Sequence, residues 1–258
     1  MILYLIIIAA MAILLYMSAL FLISTALADV SIVDIFWGLG FIMVAIITAA
    51  IIPANTSRAL LILILVLIWA IRLSLQIAIR KIGKPEDARY VKMRQDWGNN
   101  FLIKSYFYIF IIQGLALLII AYPIILVNST NQQPGITILD WVGVFLWIIG
   151  FLFETAADLQ LYRFLKRPEN RGKLLTSGVW KYSRHPNYFG EICIWWGIFF
   201  IALNAPWGLS AIISPLLITY LLLYVSGIPP AEHQLEANPA FPQYKETTNI
   251  LIPWFPKK

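Results

Sequence analysis

The residues best equipped for chemistry lie together in the stretch Ser177–Glu191, where Arg184, His185, Asn187, Tyr188 and Glu191 fall within eight positions at the mouth of an apolar segment. Polar groups near a bilayer pair, line a wet cavity or hold a polar ligand, because leaving them unsatisfied in hydrocarbon is costly. A snorkelling side chain accounts for Arg184 alone. Asn187 and Glu191 are four apart, so a helix beginning at Pro186 puts both on one face. Glu154 and Asp158 repeat that spacing upstream, with Tyr162 and Arg163 one turn on. Asp34 stands near the start of another apolar run.

An intramembrane carboxylate marks a functional position by default. The plainer uses are hydrogen bonding between helices for Glu154, Asp158 and Glu191, and a first-turn acid favoured by the helix dipole for Asp34. Arg163, Lys166, Arg167, Arg171, Lys173, Lys181 and Arg184 surround the acids on the second half of the chain, beside Tyr182 and Asn187 as donors. That mixture suits a phosphorylated ligand; basic loops alone equally suit anionic lipid. The chain has no GxGxxG run, so a Rossmann site is not indicated and a cofactor must lie between helices.

The elements that position these groups are membrane helices. The 258-residue chain is 60% hydrophobic and 12% charged, against about a quarter charged in soluble domains. Its apolar runs reach the roughly 20 residues that span a bilayer. The expected fold is an all-α polytopic membrane helical bundle of about seven transmembrane helices. They run Ile2–Leu27, Ile32–Ile52, Ala59–Ile79, Tyr106–Val127, Ile138–Phe164, Pro186–Leu203 and Trp207–Val225. A strongly basic loop, Arg80–Lys104, precedes the fourth, and Glu86–Tyr90 within it reads as the start of a surface helix in preference to a lid over a cofactor mouth. Pro53–Ser57 reads as a turn, and a polar, proline-rich tail follows Gly227.

Of 19 Lys and Arg, 17 fall after the third, fifth and seventh helices. The positive-inside rule makes that side cytoplasmic, with the N-terminus outside and the C-terminus inside. The net charge of +6 is thereby a topology signal and not a nucleic-acid footprint. In a bacterium the location is the inner membrane. The first apolar stretch has no basic residue before Arg58, so it reads as a membrane helix and not a cleavable signal. The single cysteine, Cys193, reads as a packing residue, and two histidines are too few for most His-based metal sites. Gly38, Gly40, Gly143 and Gly150 read as points of close helix approach.

The run Ser183-Arg184-His185-Pro186-Asn187-Tyr188-Phe189-Gly190-Glu191 resembles the signature of steroid 5α-reductase-like membrane proteins, in particular their bacterial branch. Asp158 followed by Arg163, Lys166 and Pro168, and the tail with Glu232, Tyr244 and Leu251–Trp254, resemble that family too; about the last 110 residues carry the likeness. It implies a single transmembrane domain over 1–258. Residues 1–137 are its substrate-side half and 138–258 its half for NADPH, which reduces an activated C=C bond of a lipophilic, enone-like substrate drawn from the bilayer. By position, Asp158, Tyr182, Asn187, Tyr188, Glu191, Glu232 and Tyr244 would contact the cofactor. Arg163, Lys166, Arg171 and Arg72 are candidates for its phosphates, and Arg184 and His185 would lie at the cavity mouth. In the steroid enzymes a Glu on the second helix and a Tyr on the third polarise the substrate carbonyl. Asp34 occupies the Glu position, as the catalytic candidate, but Trp69 occupies the Tyr position. A carboxylic acid kept neutral by an apolar site can still donate to an enone oxygen.

Arg184-His185-Pro186 with a tail Glu also resembles isoprenylcysteine carboxyl methyltransferases, which use S-adenosylmethionine. A non-catalytic lipid-binding membrane protein is the third reading. The longer motif, the seven spans and the phosphate-friendly linker favour the reductase.

Overall fold

The structure is a computed structural model describing residues 1–52, 57–130 and 135–256. The expected turn at Pro53–Thr56, the Asn131–Pro134 part of the next polar turn and the terminal Lys257 and Lys258 lie outside the described residues. Those described are helical throughout their ordered elements, with no strand among them. Among the described residues six helical segments are long and apolar enough to cross a membrane: Ile2–Ala26, Ile32–Ile51, Ser57–Lys81, Ala88–Ile120, Ile138–Leu165 and Gly208–Leu235. Pro186–Ala202, the remaining span expected from sequence, has 17 residues, about 25 Å at 1.5 Å per residue and at the short end of what spans hydrocarbon. The chain is a multi-pass helical membrane protein.

It divides into two compact units, Met1–Thr137 with Ala202–Ser214, and Ile138–Ile201 with Pro215–Lys258. The first holds α1 (Ile2–Ala26), α2 (Ile32–Ile51), α3 (Ser57–Lys81), α4 (Ala88–Trp97), α5 (Phe101–Ser105), α6 (Ile112–Ile120) and α7 (Tyr122–Asn128). α2 and α3 approach closely at Gly38, where an added Cβ would lie 3.2 Å from the Ala70 carbonyl. Trp69 is fully buried in this unit, its ring 5.3 Å from that of Phe41. Ala202–Ser214 is tied in by Ser214 Oγ donating to the Ile120 carbonyl at 2.7 Å and by Thr137 donating to Asn204 at 2.9 Å.

The loop expected at Arg80–Lys104 is corrected: α4 occupies Ala88–Trp97. Asp87 is its N-cap, accepting from the Arg89 amide at 2.9 Å, which satisfies a donor the first turn leaves open. The helix start expected at Glu86–Tyr90 falls at the N-terminus of α4. α5 runs through a π-helical stretch, Tyr106–Ile111, into α6.

The second unit holds α8 (Ile138–Leu165), α9 (Pro186–Ala202), α10 (Ile213–Tyr220, reached from the first unit), α11 (Ile228–Leu235) and α12 (Phe241–Thr247). The seventh expected helix ends in a second π stretch, Leu221–Val225, and a bend at Ser226–Gly227 separates it from α11. α8 and α9 meet antiparallel through two glycine pairs, Gly143 with Gly197 and Gly150 with Gly190. Small residues at this spacing let backbones touch, which drives helix association in lipid. A Cβ on Gly190 would lie 2.7 Å from the Glu154 Cβ and amide nitrogen and nearer still to the Gly150 carbonyl. Gly190→Ala is therefore expected to cost about 1–3 kcal/mol through overpacking, read as a lowered unfolding midpoint in detergent. An unchanged midpoint would show that the helices part freely there.

Candidate functional site

The glycine contacts bring the acids of α8 against those of α9. Glu154, Asp158 and Glu191 are all buried, and Glu191 accepts from the Trp195 indole at 2.9 Å. Beside them the Asn187 Oδ1 and Thr155 Oγ1 are buried and meet no hydrogen-bond partner among the described residues. A buried polar atom without a partner costs about 1–3 kcal/mol, so an exogenous donor or acceptor is chemically called for at these positions.

Where α8 ends, a cavity of about 200 Å³ opens to solvent, lined by Gln160, Arg163, Phe164, Arg167, Asn170, Leu175, Ser177 and Gly178. Its wall is set by local geometry. Gly178 adopts φ +63°, which a side chain would strain, and any Cβ there would collide with Gln160. Gln160 Oε1 takes the Val179 amide at 3.0 Å. Neither Arg163 nor Arg167 meets a carboxylate among the described residues. Two unneutralised guanidinium groups with Asn and Ser in one groove form an anion-binding donor set. Lys166 lies over the Tyr162 ring at 4.6 Å and does not line the groove; Arg171 does not line it either.

Arg184 is held by partners from the tail. Its Nε donates to Glu232 at 2.8 Å, its Nη1 to the Thr248 and Lys245 carbonyls at 2.6 and 3.0 Å, and its amide to the Asn249 carbonyl at 2.8 Å. Arg184 and Glu232 are only 6% and 12% exposed. His185 Nε2 shares Glu232 at 3.3 Å. Burial holds this imidazole below its ordinary pKa, against the pull of Glu232 and with help from Arg184. Tyr244 donates to the Trp180 carbonyl at 2.5 Å, and burial raises its phenol pKa. Arg184, Glu232 and Tyr244 thus clamp the tail to the motif loop. Tyr188 stacks on His185 at 5.3 Å. Tyr182 is part-exposed and gives its carbonyl to the Trp254 amide at 3.0 Å.

In the first unit, Asp34 is not an isolated acid. Its Oδ1 accepts from the Tyr90 hydroxyl at 2.8 Å and its Oδ2 meets Arg89 at 3.0 Å. Both partners come from α4, which the sequence reading treated as surface; Tyr90 is 4% exposed. The same element is anchored by Glu86, which pairs with Arg94 at 2.9 Å and accepts the Val30 amide at 2.8 Å. Lys81 pairs with Asp29 at 2.8 Å across the same turn. The only advance signal for this network was Asp87 two residues before Arg89, a capping pattern. Arg72 is half-buried within α3.

A polytopic membrane protein with a buried carboxylate–amide cluster and an arginine groove is the class that fold and site define. The chain belongs to the family described as Protein of unknown function (DUF1295), whose profile matches residues 20–248 and which includes steroid 5α-reductase-like proteins. It is 26% identical over 185 residues to an uncharacterized protein of Schizosaccharomyces pombe, covering 62% of this chain and 50% of that protein. It is 32% identical over 123 residues to 3-oxo-5-alpha-steroid 4-dehydrogenase 1 of Mus musculus, covering 45% of each. The Rattus norvegicus protein of the same name is 30% identical over 123 residues, covering 45% of this chain and 44% of that protein. The chain therefore spans half or less of the length of these relatives. No solved structure matches.

Proposed function

We propose that this protein is an integral-membrane oxidoreductase that reduces an activated C=C bond of a lipophilic enone with NADPH. The observation that carries the reading is the arginine groove at the end of α8, lined by Arg163 and Arg167 without acid partners. Such a groove fits a phosphate-bearing cofactor, whereas S-adenosylmethionine carries no phosphate. The kinship to 3-oxo-5-alpha-steroid 4-dehydrogenase 1 supports the reaction class.

The residues fit the cofactor chemically. Arg163 and Arg167 hold phosphate, and the buried Asn187 amide with Thr155 offers unfilled polar positions for an amide-bearing head. The bound cofactor supplies the hydride. In the first unit, the Tyr90 hydroxyl would polarise a carbonyl by turning its O–H from Asp34 to the carbonyl oxygen, with Asp34 and Arg89 positioning the phenol. Tyr90 reaches Asp34 from α4 and so supplies the hydroxyl that Trp69 lacks. The basic loops support a cytoplasmic side for the cofactor end.

Each charge-assisted bond to phosphate contributes about 1.5–3 kcal/mol. Arg167→Ala should weaken NADPH binding by roughly 10–100-fold. The direct test is oxidation of NADPH by the purified protein, which should depend on an added lipophilic enone. Enone-independent or absent oxidation, with the enone recovered unreduced, would overturn the reading.

A further inference from the structure

Residues 248–256 leave α12 without forming another helix, yet they are held firmly. The Arg184 amide donates to the Asn249 carbonyl at 2.8 Å and the Trp254 amide to the Tyr182 carbonyl at 3.0 Å. Between them Ser183 Oγ donates to the Leu251 carbonyl at 2.7 Å. The Arg184 guanidinium joins the Thr248 carbonyl on this segment to Glu232 on α11. The motif loop thus fixes an irregular strap.

Its exposed side chains are apolar: Ile250, Ile252, Trp254 and Phe255 are 45%, 65%, 67% and 73% exposed. None of these lies in a membrane-crossing helix. Behind the strap lies a mainly apolar groove of about 670 Å³, lined by Leu223, Tyr224 and Ile228 on one wall and Asn249–Ile252 with Trp254 on the other. The first wall belongs to the membrane-crossing segment Gly208–Leu235 itself. A surface continuous with a bilayer-embedded helix is already in contact with lipid. Exposed Trp and Phe at its end match the aromatic enrichment of the membrane–water boundary. The exposed Lys245 supplies positive charge for anionic headgroups nearby.

We propose that the strap Asn249–Phe255 docks on the bilayer surface through Ile250, Ile252 and Trp254, and that the groove behind it takes one acyl chain of a membrane phospholipid. Arg184 is then a positioning residue for a lipid site, whatever reaction the protein catalyses. The strap is a lipid-contact surface and not a solvated tail.

The full chain, carrying Cys193→Ala and reconstituted in phosphatidylcholine–phosphatidylglycerol vesicles, would be nitroxide-labelled at Ile252→Cys, Trp254→Cys or Glu246→Cys. Collision with dissolved oxygen and with a water-soluble nickel chelate is then compared by electron paramagnetic resonance. The labels at 252 and 254 should favour oxygen, and the label at 246, on exposed α12, should favour the chelate. Equal chelate access at all three would overturn the proposal. Protection of 252 and 254 from both reagents would also overturn it, because protein, as in a second copy of the chain, would then cover the strap. For the groove, Leu223→Trp should lower by one the phospholipids retained by the protein in mild detergent, measured by native mass spectrometry. An unchanged count would remove the acyl-chain site.

Discussion

Arg184→Ala should destabilise the second unit by about 3–5 kcal/mol, the cost of leaving one member of a buried ion pair without its partner. The loss has several physical parts. Glu232 keeps its buried charge with only His185 and the distant Lys245, 3.7 Å away, in place of Arg184. The Thr248 and Lys245 carbonyls lose their donor, and an unsatisfied buried acceptor adds its own desolvation cost. The strap keeps its backbone contacts, Ser183 and the edge-on packing of Phe255 against Tyr182. Unfolding in detergent, followed by protease cleavage of the carboxyl-terminal segment, reads both effects. The double variant Arg184→Met with Glu232→Leu should recover much of the loss, since replacing both partners of a buried pair with apolar residues is often neutral. If Arg184→Ala unfolds like the unmodified protein, the clamp does not hold the tail.

The second large effect concerns turnover. Asp34→Asn and Tyr90→Phe should each lower the rate of enone reduction by about 10²–10⁴-fold, the range for losing a positioned acid–base group. Cofactor affinity should stay unchanged, because the groove with Arg163 and Arg167 lies in the other unit. Tyr90→Phe is the sharper of the two, since it removes one oxygen and keeps the ring that packs at 4% exposure. Arg89 serves as the comparison. It carries 44% side-chain exposure, and its pair with Asp34 is partly screened, so Arg89→Gln should cost less than either. Full turnover in Tyr90→Phe would remove the couple from the mechanism.

The contrast between these sites explains what the sequence made legible. Spans and glycine contacts were readable because lipid imposes them locally: length, hydropathy and a repeat along one helix suffice. Gly143 and Gly150 were identified in that way, and Glu154 with Asp158 share the face that spacing predicts and are buried. Asp34 was found as an acid at a span start. Its partners Arg89 and Tyr90 are more than 50 residues away in sequence, inside a charged stretch whose composition says loop. Nothing local joins them. The partners of Arg184 were out of reach for a related reason: Glu232, Lys245 and Thr248 are supplied by the chain's return. The arginine groove was half visible. The basic linker showed in composition, but only the fold selects Arg163 and Arg167 and leaves Lys166 and Arg171 off its lining.

The most direct test of the central claim, that the second unit grips a phosphate-bearing reductant, is the thermal stability of the detergent-purified chain titrated with NADPH and, separately, with S-adenosylmethionine. A ligand at about 100 times its Kd stabilises by about 2.7 kcal/mol. NADPH should raise the unfolding midpoint in a saturable manner, and the Arg163→Ala, Arg167→Ala double variant should shift that response to higher concentration. Stabilisation by S-adenosylmethionine alone, or by neither compound, would contradict the account.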